Sequence, residues 1–264
     1  MNHRRISLSA AAVVAVLALC ACKPAAPAGG ATPELSDGHP DLSGVWAPKG
    51  MAFKVADNNG SVDITYGGGG AAPTPRNAAA EPNTPKYKPE FRDKVADFAR
   101  RQDFIDPVFT CGRPGVPRLG PPVKIMHTAN EIVLLYQHYP VGDFFRVVPT
   151  KEGAAYHDDL EPTFNGDAVG RWEDDTLVIE SRNFVPDSWF GEDGYIHSPN
   201  MRVVERFRRE GDSLTYSAQV IDPDMLEEPW TKPQAQLSIS DTPIVESPPC
   251  TDISRPLLST EEHH

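Results

Sequence analysis

The feature that most constrains this chain is a series of short segments in its second half in which apolar and polar residues alternate. Val, Ile, Phe, Tyr and Thr are frequent in these segments, and turn residues separate them, which is typical of β-strands. The seven segments are Glu131 to Tyr136, Asp143 to Val148, Ala168 to Trp172, Thr176 to Ser181, Met201 to Arg208, Ser213 to Ile221 and Ala235 to Ser240. The pattern predicts a mainly all-β fold.

Short turns connect several of these segments. Asp174-Asp175 and Gly211-Asp212 are spaced to close tight hairpins, so we expect an antiparallel meander. In Ser213 to Ile221 every second residue is apolar, which predicts one buried face and one solvent-exposed face. Because so many short strands must protect their edges, we expect a curled sheet or a small, calycin-like barrel.

The rest of the chain contains one helical segment and long irregular stretches. Pro89 lies at a typical first helical position, and apolar residues recur at helical spacing from Phe91 to Ala99, which predicts one short amphipathic helix. Gly67 to Pro85 is rich in Gly, Ala and Pro without periodicity, and Phe109 to Pro122 contains four prolines. Both stretches are therefore predicted to be irregular.

The N-terminus has the pattern of a secretory signal. Arg4 and Arg5 precede an apolar run that ends at Cys22 and is shorter than the roughly 20 residues that span a bilayer as a helix. The sequence Leu19-Cys20-Ala21-Cys22 resembles the bacterial lipobox, which implies cleavage before Cys22 and acylation of that cysteine. An ordinary signal peptide is the alternative. Lys23 implies, by resemblance to enteric lipoproteins, an outer-membrane location facing the periplasm.

The predicted lipoprotein signal divides the chain into three parts. Residues 1–22 are the signal peptide, residues 23–41 are predicted to be a flexible tether because they have few large apolar groups, and residues 42–264 are predicted to form one β-rich domain. The lipid bilayer is then a partner through acylated Cys22. The oligomeric state is left open.

The charge of the chain argues against one class of partner. The chain contains 25 Lys and Arg residues and 37 Asp and Glu residues, so its net charge is −12. Nucleic acid is not an expected partner, because binding to a phosphate backbone needs a basic stripe. The local cluster of Arg202, Arg206, Arg208 and Arg209 is interpreted as a solvated strand face.

Two cysteines remain once Cys20 and Cys22 are assigned to the signal. In an oxidising periplasm a lone pair of cysteines usually cross-links, so Cys111 and Cys250 are predicted to form a disulfide. A catalytic thiol is the alternative interpretation, but no Cys-His context supports it.

Several short motifs resemble those of a widespread family of uncharacterised secreted bacterial proteins. The family has a G-R-W-x-G-D-T-L-V hairpin, an H-S pair and a later D-P…P-W. The matching residues here are Gly170 to Val178, His197-Ser198, Asp222-Pro223 and Pro229-Trp230, with Asp174 in place of the glycine. The resemblance implies a β fold and assigns no catalytic residue. Separately, Gly44-Val45-Trp46 resembles the G-x-W that opens lipocalin barrels.

Glu205 is the first candidate for chemistry. Strand alternation places it with Met201, Val203 and Phe207 on the inward face. Burial would raise the pKa of such a carboxylate towards a range useful for proton transfer, unless a cation such as Arg146 or Arg171 offsets it. The sequence leaves two roles of Glu205 open: a structural ion pair with an arginine, and a general acid or base.

Two loop histidines are the other catalytic candidates. His157 is followed by Asp158, and a carboxylate beside a histidine can fix its tautomer for general-base chemistry. His197 precedes Ser198 in a second loop, although no G-x-S-x-G elbow supports a hydrolase nucleophile. Solvated loop histidines are the alternative. The acidic loop from Asp159 to Asp167 only loosely resembles a calcium loop, and we expect neither metal nor cofactor.

Aromatic and arginine side chains predict a binding site. Trp172, Trp189 and Tyr139 lie at strand ends or in loops, where they could stack on a sugar ring or an aromatic ligand, and Arg146 or Arg171 could orient its polar end. The sequence therefore favours a domain that binds a small, partly apolar molecule. The alternatives are an acid-base enzyme (a lyase, isomerase or hydrolase) that uses Glu205 with His157 or His197 in one cavity, and a structural envelope protein.

Overall fold

A computed structural model describes residues 30–48, 51–55, 62–66, 83–138, 141–247 and 250. The strands are β1 Gly44–Pro48, β2 Met51–Val55, β3 Val62–Tyr66, β4 Lys124–His127, β5 Glu131–His138, β6 Gly142–Pro149, β7 Asp167–Glu173, β8 Thr176–Arg182, β9 Arg202–Glu210, β10 Ser213–Ile221, β11 Trp230–Thr231 and β12 Ala235–Ile239. The helices are α1 Pro89–Arg100 and the one-turn α2 Gln102–Ile105, which is followed by a 3-10 turn at Pro107–Thr110.

Ten of these strands form one antiparallel sheet. Nine follow the order β6-β5-β4-β1-β12-β10-β9-β8-β7, and β11 pairs with β10 beyond the end of β12. Strands β2 and β3 form a separate hairpin. The sheet curls until its end strands, β6 and β7, lie beside each other, so the predicted barrel-like all-β fold is confirmed.

A glycine permits the approach of the two end strands. A Cβ atom added to Gly170 of β7 would lie 2.8 Å from Cγ2 of Thr150, the residue after β6, and 3.4 Å from the carbonyl oxygen of Pro149. Contacts this short would force the neighbouring chain to move. A residue without a side chain therefore lets β7 pack closely against the end of β6.

The two predicted hairpin turns are confirmed. Glu173 pairs with Thr176 across the turn Asp174-Asp175, and Glu210 pairs with Ser213 across Gly211-Asp212. Asp174 has a φ of 51°, in the left-handed region that two-residue hairpins require. Aspartate adopts this region more readily than most residues other than glycine, so Asp174 is compatible with the geometry of the turn.

The interior of the sheet is filled with side chains. Alternation in β10 is confirmed, because Leu214, Tyr216, Ala218 and Val220 are all buried while the residues between them are partly exposed. Trp46 of the G-x-W motif is also buried, and its indole nitrogen donates to the Leu42 carbonyl oxygen at 3.0 Å. The interior is thus a packed core.

The arginine cluster on β9 is not uniformly solvated. Arg202, Arg206 and Arg208 are exposed, as predicted, but Arg209 is buried. Its guanidinium donates to the carbonyl oxygens of Gly211 and Asp41, at 2.8 and 2.6 Å, and lies over the Trp46 ring. The interpretation of Arg209 as a surface residue was wrong, because β9 turns this side chain towards the N-terminal segment.

Part of the predicted tether packs on the sheet. The Gly211 amide donates to Thr32 Oγ1 at 2.8 Å, and the His39 ring stacks on Trp172 with 4.5 Å between ring centroids. Thr32 and His39, which lie within the predicted tether of residues 23–41, therefore contact residues of the sheet and its turns.

The predicted disulfide is present. Cys111 lies at the end of the 3-10 turn and is bonded to Cys250, with 5.7 Å between their Cα atoms and a sequence separation of 139. The bond ties the irregular segment after α2 to residue 250. The segment predicted to be irregular, Phe109 to Pro122, contains only the end of the 3-10 turn.

Helix α1 begins at Pro89, as predicted. The side chains of Phe91, Val95 and Phe98 pack against the hydrophobic core from its surface. The predicted loop Gly67 to Pro85 falls mostly outside the described residues.

Candidate functional site

A pocket of about 410 Å³ lies between helix α1, the turn that follows it and two loops. None of its described lining residues belongs to a strand of the sheet. They are Lys94, Phe98, Arg101, Ile105, Pro107, Pro186, Asp187, Trp189, Ile196, His197 and Met225. Most of the wall is apolar, and the charged side chains come from α1, from Arg101 and from Asp187.

Close packing of α1 on one loop forms the aromatic wall of the pocket. Phe98 and Trp189 stack with 5.8 Å between ring centroids and 17° between ring planes. Gly194 has a φ of 77°, and a Cβ atom there would lie 2.7 Å from the Val95 carbonyl oxygen. A larger residue at this position would push the helix away, so this glycine allows Phe98 and Trp189 to meet.

His197 lies in the pocket wall and has partners at both ring nitrogens. Nδ1 is 2.8 Å from the carbonyl oxygen of Ser198, which can only accept a hydrogen bond, so we assign the ring proton to Nδ1. Burial lowers the pKa of His197, which favours the neutral ring. Nε2, at 2.8 Å from Ser188 Oγ, is then an acceptor for the single hydroxyl proton of Ser188, together with the Val185 carbonyl oxygen.

This Ser-His pair has the hydrogen bond of an activated nucleophile, but the serine is enclosed. Ser188 is buried, is not among the described lining residues of the pocket, and its hydroxyl lies 2.8 Å from a second acceptor, the Val185 carbonyl oxygen. The pair therefore holds the imidazole ring in position at the pocket wall.

A carboxylate anchors the loop that carries His197. Asp222 accepts hydrogen bonds from the amide and the hydroxyl of Ser198, at 2.7 and 2.8 Å. It is also within 3.2 Å of the Met225 amide, and Met225 lines the pocket. The H-S pair and the D-P pair noted in the sequence are thus hydrogen-bonded to each other.

Glu205 lies in a closed polar network inside the sheet. It is fully buried; its Oε2 accepts from Arg146 at 2.6 Å and its Oε1 accepts from the Tyr216 hydroxyl at 3.1 Å. Arg146 also donates to the Tyr136 hydroxyl and to Ser181 Oγ, at 3.1 and 2.9 Å. The predicted inward register of Glu205 is confirmed, and of the two cations considered, Arg146 is its partner.

The network extends to both tyrosines. Burial raises the pKa of Tyr136 and of Tyr216 above the ordinary value near 10, so both hydroxyls keep their protons and act as donors or acceptors. Each charged group in the network is therefore compensated by an opposite charge or by a hydrogen bond.

His157 pairs with a carboxylate other than the one next to it in sequence. Its backbone amide and its Nδ1 lie 2.7 and 3.0 Å from the carboxylate oxygens of Asp167, which begins β7, while Asp158 is exposed. The His157 side chain is 69% exposed. Glu205, His157 and His197 each have separate partners, and the structure does not assemble them into one acid-base group.

The other predicted ligand-binding residues have different surroundings. Arg171 is exposed on the sheet and pairs with Glu173 at 2.8 Å, so it does not face a cavity. Trp172 is half-buried and stacks on His39 and His127. Only Trp189 lines the pocket, whereas Tyr139 and Cys22 lie outside the described residues.

Sequence reasoning missed several residues around this pocket. Lys94 and Phe98 lie one helical turn apart on α1, and the amphipathic pattern that predicted the helix could have identified them as neighbours on one face. Ser188 carried no such signal, because its contact with His197 depends on the path of an irregular loop.

In the described part of the chain, no group of three His, Cys, Asp or Glu side chains is placed to hold a metal ion, and no helix is long and apolar enough to cross a membrane. The fold and the site of the described residues define a nearly closed, barrel-like β protein with a pocket beside helix α1. Family models, curated proteins and solved structures gave no match to the chain. The resemblance to the secreted family stays a prediction.

Proposed function

We propose that this protein binds a small, partly apolar molecule, aromatic or sugar-like, in the pocket beside α1. The observation that carries the proposal is the pocket itself, about 410 Å³ with the stacked rings of Phe98 and Trp189 in its wall. Ligand sites of this kind are typically concave, mostly apolar and about 300 to 1,000 Å³ in volume. A ring or short chain of the ligand lies against the two aromatic side chains.

The cations of the pocket can meet an anionic end of a ligand, with Asp187 as an opposing charge in the same wall. Lys94 is exposed, and its Nζ lies 5.4 Å from the centroid of the Phe98 ring. Arg101 also reaches the pocket, although Asp97 already pairs with it. Lys94 is therefore the group that meets a carboxylate or sulfonate at the end of the ligand.

Binding has more support here than acid-base catalysis. The catalytic alternative needs Glu205 and a histidine in one cavity, and both oxygens of Glu205 have partners within the network around Arg146. His197 is the candidate acid-base residue that lies at the pocket, and both of its nitrogens are engaged. In the proposal, the imidazole ring of His197 contributes a flat surface to the pocket wall, and its two hydrogen bonds hold that ring in place.

The pocket proposal predicts binding of anilinonaphthalene sulfonate, a probe with aromatic rings and one negative charge. We expect one site per chain, detected as probe fluorescence and as quenching of tryptophan fluorescence. Phe98→Ala and Lys94→Met should each weaken binding about tenfold, equivalent to about 1.4 kcal/mol. Lys151→Met, which changes an exposed lysine outside the pocket, is the matched control.

Circular dichroism checks that each variant is folded, because the probe also binds loosely packed proteins. Equal affinity in the wild type and in both pocket variants would mean that the probe binds elsewhere, and the proposal would then be wrong.

We also propose that lipid on Cys22 holds this domain at the outer membrane, facing the periplasm. The support is the sequence Leu19-Cys20-Ala21-Cys22, since Cys22 precedes the described residues. Several acyl chains anchor a protein almost permanently, at about 0.8 kcal/mol for each buried methylene. We expect Cys22→Ser to move the protein from the membrane fraction to the soluble fraction, and Cys20→Ser to leave it in the membrane. Membrane fractionation of the Cys22 variant like that of the wild type would rule out this anchor.

A further inference from the structure

A second group of functional side chains lies where strand β5 ends. Leu134 and Tyr136 point into the packed interior, and His138 follows on the same face of the strand. Lys232, just after β11, bonds through its amide to the Ala218 carbonyl oxygen at 2.8 Å, and its Nζ donates to the Pro117 carbonyl oxygen at 3.1 Å. The backbone thus brings Lys232 next to residue 118.

Arg118 completes the group. Its side chain is 7% exposed and it makes two hydrogen bonds to the fully buried carboxylate of Asp106, at 2.8 and 2.6 Å. We define Arg118, His138 and Lys232 as the basic cluster. They come from three distant parts of the sequence, and the fold brings them near one another.

The charges of the basic cluster act on two of its members, His138 and Lys232. Burial, together with the charges of Arg118 and Lys232, lowers the pKa of His138 to about 4, although Asp106 opposes the shift. Burial and Arg118 also lower the pKa of Lys232 to about 8, against the opposing charges of Glu192 and Glu205. The positive charges therefore lie close enough to repel one another.

Two nitrogen atoms of the basic cluster have unused hydrogen-bonding capacity. Among the described residues, Arg118 Nε and His138 Nδ1 are buried and have no hydrogen-bond partner. An unsatisfied buried polar group costs about 1 to 3 kcal/mol, so a native fold keeps few of them. Both atoms can donate a hydrogen bond to the same small acceptor when Nδ1 carries the imidazole proton.

The local charge balance also favours an anion. Asp106 compensates Arg118, and Glu205 compensates Arg146. Among the described residues, Lys232 forms no direct ion pair, and the charges of Glu192 and Glu205 act on it from a greater distance.

We propose that the basic cluster binds a small oxyanion, a carboxylate or a phosphate-like group, between Lys232, His138 and Arg118 Nε. Lys232 supplies the charge, and the other two residues supply directed hydrogen bonds. The site is separate from the pocket beside α1. Asp106, which holds Arg118, lies between Ile105 and Pro107, and those two residues line the pocket.

Titration calorimetry of the full chain with sodium sulfate and with sodium acetate, at constant ionic strength, tests this proposal. Both probes keep a constant charge between pH 7 and 9, whereas phosphate does not. We expect binding of at least one probe at pH 7. Preference for sulfate would identify a tetrahedral ligand, and preference for acetate a carboxylate.

Two comparisons make the test specific. Lys232→Met should weaken binding at least tenfold, whereas Lys88→Met, which changes a lysine that also donates to a backbone carbonyl oxygen, should leave it unchanged. Because the pKa of Lys232 is about 8, raising the pH from 7 to 9 removes its charge from most molecules and should weaken binding several-fold. Near pH 8, binding should take up protons.

His138→Gln is a second variant that keeps the proposal testable if Lys232→Met does not fold. We expect it to weaken binding as well, because glutamine changes the position of the donor. The proposal is wrong if neither probe binds at 50 mM, if folded Lys232→Met binds as the wild type does, or if affinity is the same at pH 7 and pH 9.

Discussion

Replacing both Cys111 and Cys250 with serine should lower the free energy of unfolding by about 4 to 5 kcal/mol, which is a large part of the stability of an ordinary domain. The disulfide closes a loop of 139 residues, and in the chain-entropy model a loop of this length strongly restricts the unfolded chain. The double variant avoids a single unpaired thiol. Urea denaturation of the oxidised wild type and of the variant measures the difference.

Reduction of the wild type provides a matched control for this result. In dithiothreitol the wild type should approach the stability of the double variant, while the variant itself should not respond. A loss of stability below about 1 kcal/mol would contradict the prediction. It would show that residual structure restricts the unfolded chain even without the disulfide.

The sequence predicted most strands because their side chains alternate between core and solvent. All seven predicted segments are strands in the structure, with ends that differ by a few residues. It did not predict the other five described strands, β1 to β4 and β11, which have two to five residues and are too short to show a clear period. These strands are defined by their neighbours, since β4 pairs with both β1 and β5.

In the candidate sites, the direction of a side chain on a strand could be predicted from the sequence, whereas its partner from a distant strand could not. The period of two on β9 identified Glu205 as an inward residue, and the sequence offered Arg146 or Arg171 as its partner. Only the closed sheet decides between them, because β6 and β9 are not neighbours in the sheet order. The basic cluster was not predicted for the same reason: positions 118, 138 and 232 share no local pattern.

The hydrogen-bond partner of His197 could not be predicted from the sequence. The sequence indicated a loop histidine beside Ser198, but its hydroxyl partner is Ser188, nine residues earlier. An irregular loop has no period, so sequence cannot state which of two serines faces a ring nitrogen. In contrast, the carboxylate of Asp222 holds both Ser198 and Met225, and it positions the wall of the pocket without contacting its interior.

The largest effect of a single substitution is expected at Glu205. Glu205→Gln should lower the free energy of unfolding by about 3 to 5 kcal/mol, because it leaves Arg146 buried without a counter-charge and arginine cannot lose its proton. Glu173→Gln is the control, since Glu173 pairs with Arg171 at the surface. Exposed pairs contribute about 0 to 1 kcal/mol, so the control should remain nearly as stable as the wild type.

Arg146→Met should also lower the free energy of unfolding, because it leaves the buried Glu205 carboxylate without its counter-charge. Urea denaturation of this variant beside Glu205→Gln compares the loss of each partner.

The double variant Glu205→Gln with Arg146→Met separates the ion pair from the rest of the network. It removes both charges and keeps an amide that can bond to the Tyr216 hydroxyl, so it should be more stable than Glu205→Gln alone. The interaction energy from this cycle should exceed about 2 kcal/mol. A Glu205→Gln protein that keeps its stability but loses its response to a ligand would instead place Glu205 in a binding or catalytic site. The closed hydrogen bonding of both carboxylate oxygens argues for the structural outcome.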